Sequence, residues 1–474
     1  MSLLWLVWII EAAIFAYLVS FFVLNVVMLF LSAIYCRRYR EKIMIPSIDF
    51  DALESLKDLI PPVTLVVPAY NEERVIVQSV RSLLAINYKR IEVVVVNDGS
   101  KDGTLDDLIR SFSLRKSEVR PSGALPAQPV KAFYVSSIEP RLVVVDKENG
   151  GKADALNAGI NFSQSPYFLA MDADSLLDPE ALTNALRRIL EDPEHVVAVG
   201  GMVRGVNGSV VDAGRIRRSQ LLLNFWVIIQ VIEYLRSFLG GRTGWSQING
   251  LLTVPGAFGL FQKAACVMAG GYSTATVTED MELIVRMQGY GREKKLDWRI
   301  LFAPDAVCWT EMPTSYAALS SQRKRWHEGL WQTLALHEAM AFSPRYGVVG
   351  LLSLPHEAFH EAAGPIFEIL GLILLPITYY MGWLNHTAFI LFLFLAFFAS
   401  TIFSLAAILI DQVYFPRHRF PRDTLLLLFF SLVEFFGYRQ LYLIWRLQAT
   451  RNFFFGRVEW RVSLRKGFAT RADK

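Results

Sequence analysis

The chain has 474 residues, a formal charge of +4, 53% hydrophobic residues and a mean hydropathy of +0.33, enough for a sizeable folded domain together with membrane-embedded segments. The small excess of positive charge borders apolar runs and forms no concentrated basic arm, which argues against a nucleic-acid partner. Cys36, Cys266 and Cys308 lie far apart without Cys-x-x-Cys spacing and indicate neither a disulfide framework nor a thiolate zinc site.

In chain order, the first expected element is a transmembrane helix within 1–42. Ala12 to Tyr35 is uncharged and apolar, and at ~1.5 Å per residue it exceeds a ~30 Å hydrocarbon core. No basic residue precedes it and no small-residue cleavage pattern follows, so a removable signal peptide is the poorer reading. Arg37, Arg38, Arg40 and Lys42 place its far end in the cytosol and the amino terminus outside. From 43 to 338 the composition is mixed, and short β-branched runs alternate with helical patterns, as in a mainly parallel α/β sheet. Val63 to Val67, Ile91 to Val96, Arg141 to Val145 and Tyr167 to Met171 read as strands, and the proline-bearing stretch Ser111 to Pro140 as a long connection. The segment 339–450 reads as an interfacial helix, Val348 to Glu361, followed by apolar runs at Ala363 to Leu384, Thr387 to Ile410 and Thr424 to Trp445. A basic tail, 451–474, is expected in the cytosol. Three full crossings would put that tail outside, so Thr424 to Trp445, interrupted by Glu434, Arg439 and Gln440, is expected not to cross completely.

The chemistry-bearing residues sit where these strands end. Val63 to Val67 runs into Pro68-Ala69-Tyr70-Asn71-Glu72, a loop without the Gly-x-Gly turn of a dinucleotide fold. Asp98, in Asn97-Asp98-Gly99-Ser100, ends the second strand, where a carboxylate can accept hydrogen bonds from a base or ribose. Gly150-Gly151-Lys152 opens a helix, Ala153 to Ile160, and offers a cation and free backbone donors to a diphosphate. Asp172-Ala173-Asp174 follows the fourth strand with two carboxylates one residue apart, hard oxygen donors for a divalent cation that also holds a diphosphate. Thr278-Glu279-Asp280 opens a helix-like stretch, Met281 to Gln288, and supplies a further carboxylate able to act as a base. Gln322, Arg325 and Trp326 fall at i, i+3 and i+4 on one helix face.

The order Asp98, Asp172-x-Asp174, Thr278-Glu279-Asp280 and Gln322-Arg323-Lys324-Arg325-Trp326 resembles the family 2 membrane glycosyltransferases, over most of the chain. It is similar to the processive synthases of β-linked polysaccharides: poly-N-acetylglucosamine, hyaluronan and cellulose synthases. The resemblance implies a GT-A glycosyltransferase domain, a Rossmann-like mixed sheet between transmembrane helices, at the inner or plasma membrane with its catalytic domain cytosolic. It also implies a UDP-sugar donor, N-acetylglucosamine by resemblance alone, a glycan or lipid acceptor, the lipid bilayer and accessory polysaccharide-export proteins as partners, and Mg2+ or Mn2+. Carried over by residue, Asp98, Lys152 and Arg325 bind the donor, and Asp172 with Asp174 bind donor and metal. Asp280 becomes the general base with Glu279 beside it, and Gln322 and Trp326 border the acceptor. The implied reaction is transfer with inversion to a growing β-linked polymer. A non-processive transferase using a lipid acceptor would carry the same core.

Each motif alone has an ordinary reading: Asp-x-Asp and Thr278 as helix caps, Asn-Asp-Gly-Ser as a turn, Lys152 as solvated surface, Gln322 to Trp326 as a membrane-interface helix. Their joint occurrence in order favours the transferase. A competing class, a membrane zinc peptidase, rests on His356-Glu357-Ala358-Phe359-His360, a His-Glu-x-x-His match whose third ligand is not evident beyond Glu361 or Glu368.

Overall fold

The computed structural model describes residues 2–43, 60–118, 123–212, 215–383, 386–416 and 420–456. Most of the basic tail expected at 451–474 therefore lies outside the described residues. The chain separates into two compact units, one drawn from Arg38–Leu223 and Leu251–Met312, the other from Met1–Arg37, Asn224–Gly250 and Pro313–Val462. The block 43–338 expected from composition is thus divided, with Asn224–Gly250 and Pro313 onward grouping with the apolar helices.

The first unit is built on valine-rich runs that are buried at most successive positions and so suit a sheet covered on both faces. Its strands are β1 (Val63–Ala69), β2 (Ile91–Asp98), β3 (Leu114–Ser117), β4 (Val130–Ser136), β5 (Leu142–Lys147), β6 (Tyr167–Ala170), β7 (Ser175–Leu177), β8 (Val196–Gly205), β9 (Val210–Asp212), β10 (Arg215–Arg218), β11 (Gly259–Gln262) and β12 (Arg299–Thr310). Ten of them form one sheet in the order β3-β4-β5-β2-β1-β6-β11-β8-β12-β7, and β9 pairs with β10 in a separate ribbon. β5, β2, β1 and β6 are mutually parallel, with Val66 opposite both Val94 and Ala170 and Asp98 opposite Lys147. β11 runs antiparallel between β6 and β8, and the sheet is therefore mixed. The four strands read from sequence are the central ones.

Ser111 to Pro140, expected to be a connection, instead carries β3 and β4, which extend the sheet antiparallel beyond β5. β3 is the edge strand and β4 lies next to it, and both carry exposed residues, so no continuous apolar run announces them. The helix Lys152–Phe162 packs on β2 and β5 through Ala155, Ala158 and Phe162 against Val94, Val96 and Val145. Gly159 permits its close approach to the sheet, because a Cβ there would lie 2.3 Å from Val66 Cγ1.

In the second unit, Asn224 caps the helix Phe225–Leu235 by accepting from the amides of Trp226 and Val227. Ser315 accepts from the Ala318 amide at the start of Tyr316–Leu336. Among the described residues one helix, Val7–Tyr39, is long and apolar enough to cross a membrane. Two bent pairs reach that length and apolarity only when each is taken as one span: Val349–Ala362 with Gly364–Tyr380, bent 44°, and Pro421–Val433 with Tyr438–Phe455, bent 65°. The second break falls inside Thr424 to Trp445, at Glu434, which is buried against Arg236 and Ser404. The expected span Thr387 to Ile410 lies in the helix His386–Tyr414, whose part Thr401–Tyr414 is a shorter apolar stretch.

Candidate active site at the carboxyl edge of the sheet

Parallel strands deliver their following loops to one edge, and here those loops are laced together. The amide of Asn71, after β1, donates to Ser100 Oγ, and its own side chain accepts from the Lys101 amide at 2.9 Å. Glu72 and Glu73 amides donate to Thr104 Oγ1 and Asp102. The loops after β1 and β2 form one rim.

On that edge three separate motifs meet. Lys152 Nζ lies 2.6 Å from Asp172 Oδ1 and 3.1 Å from Glu279 Oε1. Asp280 faces the same point, since a Cβ placed on Gly256 would sit 3.0 Å from both Asp280 Oδ2 and Lys152 Nζ. Burial alone would lower the Lys152 pKa, but Asp172, Glu279 and Asp280 together outweigh it and hold the ammonium above its ordinary value. Glu279 and Asp280 open the helix Glu279–Glu293, where the amino-terminal end of the macrodipole favours acids. Thr278 makes no side-chain cap there, so capping does not account for that motif. Asp280 Oδ1 accepts from the Met281 amide at 2.8 Å. Asp174 is buried and Thr310 Oγ1 donates to its Oδ2 at 3.4 Å.

Asp98 stands differently from the expectation of an open nucleoside contact. It is 2% exposed, and its carboxylate accepts from Lys147 Nζ at 2.6 Å, Gly150 N at 3.0 Å, Gly151 N at 2.8 Å and Asn149 Nδ2 at 3.2 Å. The Gly150 and Gly151 donors expected to be free for a diphosphate are therefore turned inward. The left-handed backbone of Gly151, φ 86°, makes this turn possible.

Sequence reading passed over the residues that fix Lys152 in place. Asp154, Asn157 and Asn161 share one face of the Lys152 helix and each binds a neighbouring backbone. Asp154 accepts from the Gln128 amide, and Asn161 bonds both the amide and the carbonyl of Leu125. Asn157 donates to the Tyr272 carbonyl and accepts from its amide, at 2.9 and 2.8 Å, which ties this helix to the segment leading to Glu279. The available signal was polar residues at i, i+3 and i+7 on an otherwise apolar helix, a pattern that surface helices also show.

Gln322, Arg325 and Trp326 belong to the second unit. Arg325 and Trp326 are exposed on the helix Tyr316–Leu336, Gln322 is half-buried, and the intervening Arg323 is buried. Arg323 donates to Glu233 Oε2 at 2.6 Å and stands 4.4 Å from the Trp326 ring centroid, while Tyr438 donates to Glu233 Oε1. In the same unit His356 Nδ1 faces His360 Nδ1 at 3.2 Å, and His360 Nε2 meets Ser20 Oγ at 2.9 Å. Among the described residues these two histidines do not belong to any group of three or more His, Cys, Asp or Glu side chains placed to hold a metal ion.

The chain matches the family model Glycosyl transferase family 2 over residues 64–120 and Glycosyltransferase like family 2 over 135–329. It is 29% identical over 286 residues to poly-beta-1,6-N-acetyl-D-glucosamine synthase of Staphylococcus aureus (strain COL), covering 60% of this chain and 56% of that protein. The probable glycosyltransferase YdaM of Bacillus subtilis (strain 168) is 28% identical over 280 residues, 58% of this chain and 56% of that protein. The alignments thus span little more than half the length of these curated relatives. Among solved structures, the mannosyltransferase PcManGT from Pyrobaculum calidifontis, in complex with GDP-Man and Mn2+, aligns with a TM-score of 0.52 over 94% of this chain and 99% of its own, at 18% identity. That likeness is one of fold, the GT-A arrangement.

Proposed function

This chain is a family 2 glycosyltransferase by its two matched domains, and we propose that it transfers a sugar with inversion from a UDP-sugar, UDP-N-acetylglucosamine, to a growing β-linked polysaccharide at a membrane. The observation that carries this reading is the meeting of Lys152, Asp172 and the Glu279-Asp280 pair at the carboxyl edge, from three distant stretches of chain. The sugar and the polymer are inferred from the similarity to the staphylococcal synthase.

Single displacement requires deprotonation of the acceptor hydroxyl on one side of the anomeric carbon and stabilisation of the departing diphosphate on the other. Asp280 is assigned the first task, because its Oδ1 is fixed by the Met281 amide while Oδ2 turns toward Lys152 and Gly256. The acceptor proton passes to that carboxylate as the new glycosidic bond forms, the bond to the diphosphate breaks, and the configuration inverts. Lys152 is assigned to the diphosphate, whose developing charge an ammonium already in place stabilises. Asp98 contributes behind the site by holding the turn that carries Lys152. Gln322, Arg325 and Trp326 are assigned to acceptor and pyrophosphate by their motif, with Trp326 offering a flat apolar face to a sugar ring.

Asp172 and Asp174 fit a divalent cation in their chemistry, being hard oxygen donors one residue apart at the end of β6. Among the described residues no group of three His, Cys, Asp or Glu side chains closes a metal cage. Mg2+ is commonly held in such open fashion, by one or two carboxylates with the remaining positions left to phosphate oxygens and water. When bound, such an ion would supply charge neutralisation for the diphosphate.

The test is a panel of radiolabelled nucleotide sugars offered to the purified full chain in detergent with Mg2+ or Mn2+, followed by enzymatic digestion of the product. Incorporation from UDP-N-acetylglucosamine is expected. Transfer from a GDP-sugar alone would overturn the donor assignment.

A further inference from the structure

Lysine is almost never fully buried unless it is paired, because removing an ammonium from water is costly. Lys147, the last residue of β5, has 0% side-chain exposure. Its Nζ lies 2.6 Å from Asp98 Oδ1 on β2, 2.5 Å from Asp154 Oδ1 on the helix Lys152–Phe162, and donates to the Glu148 carbonyl at 2.5 Å. One ammonium thus joins a strand end to the first turn of the helix. Asp154 is the third residue of that helix, where the macrodipole offsets part of the remaining negative charge.

The two carboxylates held by Lys147 also shape the intervening turn. Asp98 accepts from the amides of Gly150 and Gly151, and a Cβ on Gly150 would come within 2.5 Å of Asp154 Cγ. Lys152 leaves directly from this turn and reaches Asp172. We propose that Lys147 is a positioning residue for donor binding: by clamping Asp98 to Asp154 it fixes the Gly150-Gly151 turn and so the direction in which Lys152 meets the diphosphate. This rests on the reading of the site as a nucleotide-sugar site.

The test compares the full chain with Lys147→Met, Lys147→Arg and the double variant Lys147→Met/Asp154→Asn, measuring UDP affinity by titration calorimetry, steady-state KM and kcat for the donor, and thermal unfolding. In metal sites, removal of groups that orient the ligands typically costs ~10 to 100-fold, and the same range is expected for a group that orients Lys152. Lys147→Met should weaken UDP binding and raise the donor KM within that range, and it should lower kcat by less than Lys152→Met does because Lys152 is still present but misdirected; Lys147→Arg should recover part of both losses. The double variant removes one carboxylate with the cation, so it should melt close to the wild type yet bind UDP as weakly as Lys147→Met. Wild-type affinity in either folded variant would overturn the proposal, because Lys147 would then only balance charge. If neither variant lacking the ammonium folds, the role is structural and the proposal fails as well. A wild-type chain that binds no UDP would instead sink the donor reading.

Discussion

The base assignment is tested most directly by Asp280→Asn. The amide keeps the size of the carboxylate, and its carbonyl can still accept from the Met281 amide that now binds Oδ1 at 2.8 Å. That orientation places the new NH2 where Oδ2 stands, 3.0 Å from the Cβ position of Gly256, which is itself 3.0 Å from Lys152 Nζ. The side chain stays anchored but loses the lone pair that would take the acceptor proton. General-base catalysis contributes ~10² to 10⁴ in rate, which at about 1.36 kcal/mol per decade is roughly 2.7 to 5.4 kcal/mol of barrier. Asp280 is half-exposed, so little loss of stability is expected beside that. The assay is initial-rate measurement of polymer formation at saturating donor, with UDP affinity measured in parallel. Transfer should fall through that range while UDP affinity stays near wild type, the signature of an interaction made only in the transition state. A loss smaller than ~10-fold would refute the assignment, and Glu279, already 3.1 Å from Lys152, would be the next base to test.

The raised Lys152 pKa fixes a sign for pH dependence. Its contribution is complete below the ordinary 10.5 and is lost only as pH rises through the higher folded value, so no alkaline limb attributable to Lys152 should appear below pH 10.5. Lys152→Met should lower kcat by ~10² to 10³, as loss of a preplaced electrophile does, and an alkaline limb near neutrality that vanishes in this variant would contradict the sign. Asp174→Asn should fold, as judged by its melting curve, yet lose donor turnover, and full wild-type activity in excess chelator would defeat the metal assignment. Gly159→Ala pushes a Cβ to 2.3 Å from Val66 Cγ1; overpacking of about 1 to 3 kcal/mol exceeds the ~1 kcal/mol alanine gains as a helix former, so a thermal midpoint at or above wild type would show that the helix shifts freely. His356→Ala and His360→Ala should leave sugar transfer near wild type, whereas loss of a stoichiometric bound zinc in these variants would revive the peptidase alternative.

The sequence shows the central strands and the acids at their ends because both signals are local. Valine-rich runs of β1, β2 and β5 need no knowledge of their neighbours, and Asp172-Ala173-Asp174 closely follows the apolar run of β6. What escaped it depends on pairing across long separations. Nothing near Lys147 in the chain says that it is dry, since Asp146, Glu148 and Asn149 surround it with polar residues. Only the register that sets Asp98 opposite Lys147 brings its ammonium onto that carboxylate. The inward turn of the Gly150 and Gly151 amides has the same origin, because a glycine pair before a helix looks equally suited to an outside anion or to a carboxylate beneath it. The division of 43–338 into two compact units was hidden for another reason: Asn224–Gly250 and Tyr316–Leu336 contain enough polar residues to read as ordinary domain helices, and several of these form partly buried ion pairs such as Arg323 with Glu233 and Arg236 with Glu434.

The charge balance at the carboxyl edge connects the proposed parts of the mechanism. Lys152 stands among Asp172, Glu279 and Asp280, with Asp174 two residues beyond Asp172, so acids outnumber the ammonium there. A diphosphate adds negative charge to a site already in excess of it, and like charges at such separations disfavour binding. Lys152 must also exchange carboxylate partners for phosphate oxygens, which would leave Asp172 without its closest cation. A divalent ion held by Asp172 and Asp174 would meet both demands, replacing the ammonium at Asp172 and compensating the incoming diphosphate. On this reading an ion held by Asp172 and Asp174 would bind together with the donor, Lys152 would be free to turn from Asp172 to the phosphate oxygens, and Asp280 would keep its negative charge for the acceptor proton because the neighbouring acids would be compensated.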